Sequence, residues 1–95
     1  MNEAIPRVRL LLSAQRALLG AISHPVIAVA VRADDLELVM IVQIDGSLDD
    51  DEQEALEVAA SEIIADFPAA TSVRVEYRSD EALDGALLVF QRLPR

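Results

Sequence analysis

After Pro6, the apolar residues Val8, Leu11, Leu12, Leu18, Leu19 and Ile22 recur at helical spacing, with Gln15 interrupting the stripe and Arg9, Ser13 and Arg16 opposite it. The pattern predicts an amphipathic helix that tolerates Pro6 in its first turn and ends near Gly20 to Ser23. His24-Pro25 is a break, because the residue before proline is pushed out of the helical region. Two strands follow, Val26 to Arg32 and Leu36 to Ile44, joined by Ala33-Asp34-Asp35 as a short hairpin connection. In the second strand Leu36, Leu38, Met40, Val42 and Ile44 face one way and are assigned to the core. Glu37, Val39, Ile41 and Gln43 face the other.

Asp45-Gly46 is turn chemistry. Ser47 followed by Asp50 resembles a capping box with Asp in place of Glu. A second helix then runs to about Phe67, with Leu56, Ala59, Ala60, Ile63, Ile64 and Phe67 as its apolar stripe and Pro68 as its stop. Beyond it Val73, Val75 and Tyr77 alternate with Arg74, Glu76 and Arg78, the mark of a half-buried strand. Asp80 to Gly85 reads as a loop and Ala86 to Leu93 as the last strand. The order is α-β-β-α-β-β. Strands with one buried face call for helices on that face, so the expected fold is α+β: a two-layer sandwich of a four-stranded sheet with both helices on one side.

Composition narrows the classes. The chain has 95 residues, enough for a single domain, residues 1–95, burying roughly 60–65% of its unfolded surface. At 53% hydrophobic, it can build a core without staples. There is no Cys, which excludes a disulfide framework, a zinc knuckle and a thiol nucleophile. The longest apolar run, Pro25 to Val31, falls far short of the ~20 residues that span a bilayer. Met1 to Glu3 also lacks the basic start of a secretory signal, so a cytoplasmic protein without membrane contact is expected.

The formal net charge is −9, from 17 acids against eight Arg and no Lys. Asp45 to Asp66 holds nine of those acids and no basic residue; the rest of the chain balances eight acids with eight Arg. Nucleic acid is an unsuitable partner, since phosphate neutralisation by Lys and Arg dominates that affinity and the Arg residues form no cluster.

Candidate chemistry is sparse. His24 is the only His and precedes Pro25 at an element boundary. Ser13 and Ser47 lack a nucleophile elbow, and no Gly-rich phosphate loop occurs. Counting from Asp45, an EF-hand loop wants Gly at the sixth place and Glu at the twelfth, where this chain has Asp50 and Leu56. The many carboxylates lie largely on one helix, and Phe67, Tyr77 and Phe90 are too few aromatics to line a sugar cleft. Neither enzyme activity nor a metal or cofactor is expected.

The acidic helix is the informative feature. Asp50, Glu54, Glu57 and Ser61 form the stripe opposite the core, flanked by Asp51 and Glu62. Asp49, Asp50 and Asp51 sit in the first turn, where the helix dipole favours anions by roughly 0.3–1 kcal/mol each. A solvated face is the plain reading. Yet like-charged neighbours such as Asp50 and Glu54 destabilise an isolated helix by roughly 0.2–0.5 kcal/mol per pair. A focused negative surface of this kind steers a basic partner. Asp49, Asp50, Asp51, Glu54 and Glu57 are therefore the candidate partner-binding residues. A second candidate surface is the outer sheet face, where Ala28, Ala30, Val39 and Ile41 are expected to form a small apolar patch that can serve a homodimer.

Two stretches resemble a known group: Arg9-Leu-Leu-Leu-Ser-Ala-Gln-Arg-Ala-Leu-Leu-Gly20, and Asp45-Gly46 followed by the acidic helix ending Ile63-Ile-Ala-Asp-Phe-Pro68. They are similar to small acidic bacterial immunity proteins of contact-dependent growth inhibition and colicin-like toxin systems. The likeness extends through most of the chain, including the strand Leu87 to Arg92. Members of that group carry more aromatics in the second strand, and some have a Pro-rich stretch at the place of Asp80 to Gly85, which leaves open which toxin is recognised. The resemblance implies an immunity protein that neutralises a cognate basic toxin, a nuclease domain, by stoichiometric occlusion and without catalysis. The alternative is a self-associating structural or regulatory module whose acidic helix only keeps it soluble.

Overall fold

A computed structural model describes residues 5–79 and 86–92. The elements follow the expected order: α1 (Arg7–Ala17), β1 (Val26–Asp34), β2 (Glu37–Ile44), α2 (Asp50–Ala65), β3 (Ser72–Arg78) and β4 (Leu87–Gln91). The loop expected at Asp80 to Gly85, and Leu93, lie outside the described residues. The hairpin turn is tighter than its sequence suggests. Asp34 pairs with Glu37, leaving only Asp35 and Leu36 to turn the chain, and Asp35 takes a left-handed φ of 58°. Asp tolerates that region better than most side chains do.

The four strands form one mixed sheet in the order β3-β2-β1-β4. β1 pairs antiparallel with both β2 and β4, while β3 lies parallel to β2. A parallel pair needs a crossover rather than a hairpin, and α2 is that crossover. α1 packs over β1 and β4, α2 over β3, and the helices touch each other. Both cover the same face, where Val29, Val31, Leu38, Met40 and Val42 meet Leu10, Ala14, Leu18, Leu56, Ala60 and Ile63 in a single core.

α1 corrects the stripe read from its sequence. Val8, Leu12 and Leu19 are 70%, 58% and 80% exposed, whereas Ser13 is buried. The buried line is Leu10, Ala14 and Leu18, spaced four apart. Ala14 allows close approach to the sheet. Ser13 is buried at little cost because its hydroxyl donates to Asp66 Oδ2 at 2.7 Å. The regular helix closes at Ala17, and a turn through Gly20, at φ +81°, completes the descent to β1. Pro6 stands just before the helix in extended conformation rather than inside its first turn.

The outer sheet face also departs from expectation. Ala28, Ala30, Val39 and Ile41 point away from the helices, yet each is at most 1% exposed. Cross-strand register puts Arg32 and Arg74 on either side of Val39, Leu88 and Glu76 on the flanks of Ala30 and Ile41, and Gln43 between Ala28 and Arg78. The Arg32, Glu76 and Arg78 side chains are only 21–25% exposed. Part-buried side chains of this kind set their stems along apolar surface and keep their charged ends outward; here Arg78 pairs with Glu76 and Arg32 with Asp34. The expected patch is thus a second, thin layer of core under a charged cover.

Candidate protein-binding surface

α2 begins with a capping box, two residues later than the sequence suggested. Asp49, not Ser47, is the N-cap: its Oδ1 accepts from the Glu52 N–H at 2.7 Å, and Glu52 Oε1 accepts from the Asp49 N–H at 3.0 Å. Asp50 at the corresponding place after Ser47 is one methylene shorter than the Glu or Gln this reciprocal bond uses. Leu48, just before the cap, packs against the core and sets where the helix starts.

The five candidate residues are all exposed, and the fold gives them different surroundings. Asp49 is committed to the cap. Glu57 turns toward the sheet edge, accepting from Gln53 Nε2 at 3.0 Å and from the Tyr77 hydroxyl at 3.3 Å. Burial and the adjacent Glu57 carboxylate push the Tyr77 phenol up to about 12, so it remains a donor throughout the physiological range. Asp50 is exposed in the first turn. Asp51 and Glu54 lie on the flank facing α1. With Glu62 they line a groove together with Ala55, Val58 and, from the turn after α1, Leu19. Sequence reasoning placed Leu19 in the core and did not single out Val58. Its signal was there: one large apolar residue outside the stripe of an otherwise acidic helix face.

Among the described residues, no ion pair reaches Asp50, Asp51, Glu54, Glu57 or Glu62. The opposite end of α2 is different. Asp66, its C-cap, accepts from Ser13 and pairs with Arg16 of α1. The Ser13 hydrogen bond, ahead of the Arg16 charge, holds its carboxyl below the usual aspartate range. Arg9 lies 5.4 Å from the centre of the Phe67 ring, a cation–π contact at the same end. α1 therefore neutralises the last turn of α2 and leaves the first three turns negative.

No group of three or more His, Asp or Glu among the described residues is arranged to hold a metal ion. His24 is exposed at its boundary, and Ser13 is bonded to Asp66. No described helix is long and apolar enough to cross a membrane.

These features define a class of small α+β protein whose distinctive surface is a charged and apolar face on the helix layer. The chain belongs to the MafI2 immunity protein family, whose model matches residues 7–92. The match spans both helices and all four strands. Membership makes this a small bacterial immunity protein and implies binding of a cognate toxin. No curated protein matches the chain.

Proposed function

We propose that this protein neutralises a basic bacterial toxin, a nuclease delivered by contact-dependent growth inhibition or a similar system, by binding it one to one in the cytoplasm and occluding its working surface. The observation that carries this reading is the exposed, uncompensated negative face of α2, with Asp50, Asp51 and Glu54 at its centre. A nuclease must present positive charge to hold phosphates, and carboxylates placed against Lys and Arg of such a groove form charge-assisted hydrogen bonds. They also steer association, raising on-rates by about 10–10³ at low salt. Inhibition by occlusion needs no catalytic group on the inhibitor.

The test is the triple change Asp50→Asn, Glu54→Gln and Glu57→Gln, with toxin-domain association measured at several ionic strengths. The expected result is slower association and a shallower salt dependence. An unchanged rate and slope would remove the acidic helix from the binding surface.

A second reading, a self-associating module, draws on Val8, Leu12 and Leu19, the exposed apolar line along α1. A stable dimer in sedimentation, lost when Leu12 is changed to Ser, favours that reading; a monomer at all concentrations eliminates it.

A further inference from the structure

Charge explains why a basic partner approaches the helix layer, but the groove beside the acidic stripe has a composition that charge alone does not require. Leu19 is 80% exposed and Val58 51% exposed, and the two border the same groove. Single exposed apolar residues are ordinary surface features. Here two converge from different segments, the turn after α1 and α2, and α1 itself carries exposed Leu12 and Val8. On the α2 side Asp51, Glu54, Val58 and Glu62 stand at steps of three, four and four, which puts them on one helix face. The result is an apolar slot with a carboxylate edge. No described cation pairs with those three carboxylates, and Arg16, the nearest candidate on α1, is held by Asp66.

We propose that this groove is the anchoring site for a basic amphipathic segment of the toxin. An apolar side chain of that segment seats between Leu19 and Val58, and flanking Lys or Arg residues reach Asp51, Glu54 and Glu62. The inference rests on the toxin-binding reading and moves its centre from the outward stripe of α2 to the flank facing α1. Charge complementarity selects the occupant. A second copy meeting the groove about a twofold axis would set two carboxylate edges against each other, since a twofold contact uses the same patch on both sides. A basic segment removes that repulsion. Interfaces commonly concentrate their energy in a few desolvated apolar anchors, with charge around them setting specificity and rate. The groove holds both ingredients, the apolar pair Leu19 and Val58 and the three acids on one lining.

The chain has no Cys, so single cysteines can be introduced and labelled without background. Leu19→Cys, and Leu88→Cys on the outer sheet face as a comparison, are coupled to a benzophenone photo-crosslinker. Each is irradiated with an inactivated toxin domain encoded beside this protein. The expected product is a cross-link from position 19 to a toxin peptide rich in Lys or Arg around an apolar residue, with none from position 88. In parallel, Leu19→Ser with Val58→Ser is expected to weaken the toxin complex at least tenfold without changing the melting temperature. Glu54→Gln with Glu62→Gln should weaken it less and flatten its salt dependence. Affinity within twofold of wild type in the Leu19/Val58 variant overturns the groove while leaving toxin binding in place. A cross-link to a second copy of this chain overturns it in favour of a dimer contact. A wild-type protein that does not bind the toxin domain at all removes both proposals together.

Discussion

On the outer face of the sheet, Glu76 lies between Arg74 and Arg78 at 2.8 Å from each, and Arg32 donates to Asp34 at 3.0 Å. On the outer face of α2, Asp50, Asp51 and Glu54 meet no described cation. The same residue types do different work on the two sides. Over the sheet, paired charges roof an apolar layer, and each Arg or Glu contributes as much through its stem as through its charge. Over α2, Asp50, Asp51 and Glu54 form no ion pair among the described residues, and like-charged neighbours raise the energy of the isolated helix slightly. A surface whose charges are already matched offers little to an incoming charged partner. A surface left unmatched gains on association what it lacks alone. This contrast is the ground for proposing the helix layer as the toxin-facing side.

The strongest challenge to that contrast is Ile41→Ala. If the outer sheet face is core, the change empties a fully buried site and lowers stability by about 2–5 kcal/mol in urea unfolding. If it is an open patch, the cost stays within about 0.5 kcal/mol and the comparison fails. Next in size is the cap. Asp49→Ala should cost about 0.5–2 kcal/mol, while Ser47→Ala should be near neutral. Equal effects at the two positions would show that the helix starts earlier than Asp49.

Glu76→Gln sharpens the comparison through pH. The Arg78 hydrogen bond, then the Arg74 charge, holds the Glu76 carboxyl below its ordinary value of 4.5. A carboxyl depressed on folding contributes stability that is fully present above 4.5 and is lost as the pH falls through the lower folded value. Wild type should therefore lose stability between pH 5 and the acid limb more steeply than Glu76→Gln, read as the urea midpoint at each of several pH values. The smallest effect is Glu54→Gln, which removes like-charge contacts and should raise stability by about 0.2–0.5 kcal/mol per neighbour relieved. A measurable loss of stability there would mean that the α2 acids are as structural as those over the sheet.

Much of this was legible along the chain. The α2 stripe of Leu56, Ala59, Ala60, Ile63 and Phe67 is buried as its spacing indicated, and Leu38, Met40 and Val42 face the helices. α2 has one apolar stripe against an acidic face, so only one side can turn inward; β2 is apolar on both faces, and its longer alternating set is the one that meets the helices. α1 has two stripes. Val8, Leu12 and Leu19 form one line and Leu10, Ala14 and Leu18 another, and spacing cannot rank them. Packing ranks them: the line with Ala14 at its centre fits closely on the sheet, and Ser13 beside it finds Asp66, a residue 53 positions away. The candidate acids were visible as a group, but not their division among a cap, a tyrosine and a groove.

Element types, their order and the concentration of negative charge between Asp45 and Asp66 follow from local sequence, because periodicity, breakers and charge are properties of neighbours along the chain. Strand order, the turn of α1 and the sealing of the outer sheet face were decided only in three dimensions. β3 lies beside β2 because α2 carries the chain back across the sheet, and that parallel pairing sets Arg74 and Glu76 beside Val39 and Ile41. The Leu19–Val58 groove arises in the same way, from two residues 39 positions apart that line one depression where the turn after α1 comes alongside α2. No pattern confined to either element could have brought them together.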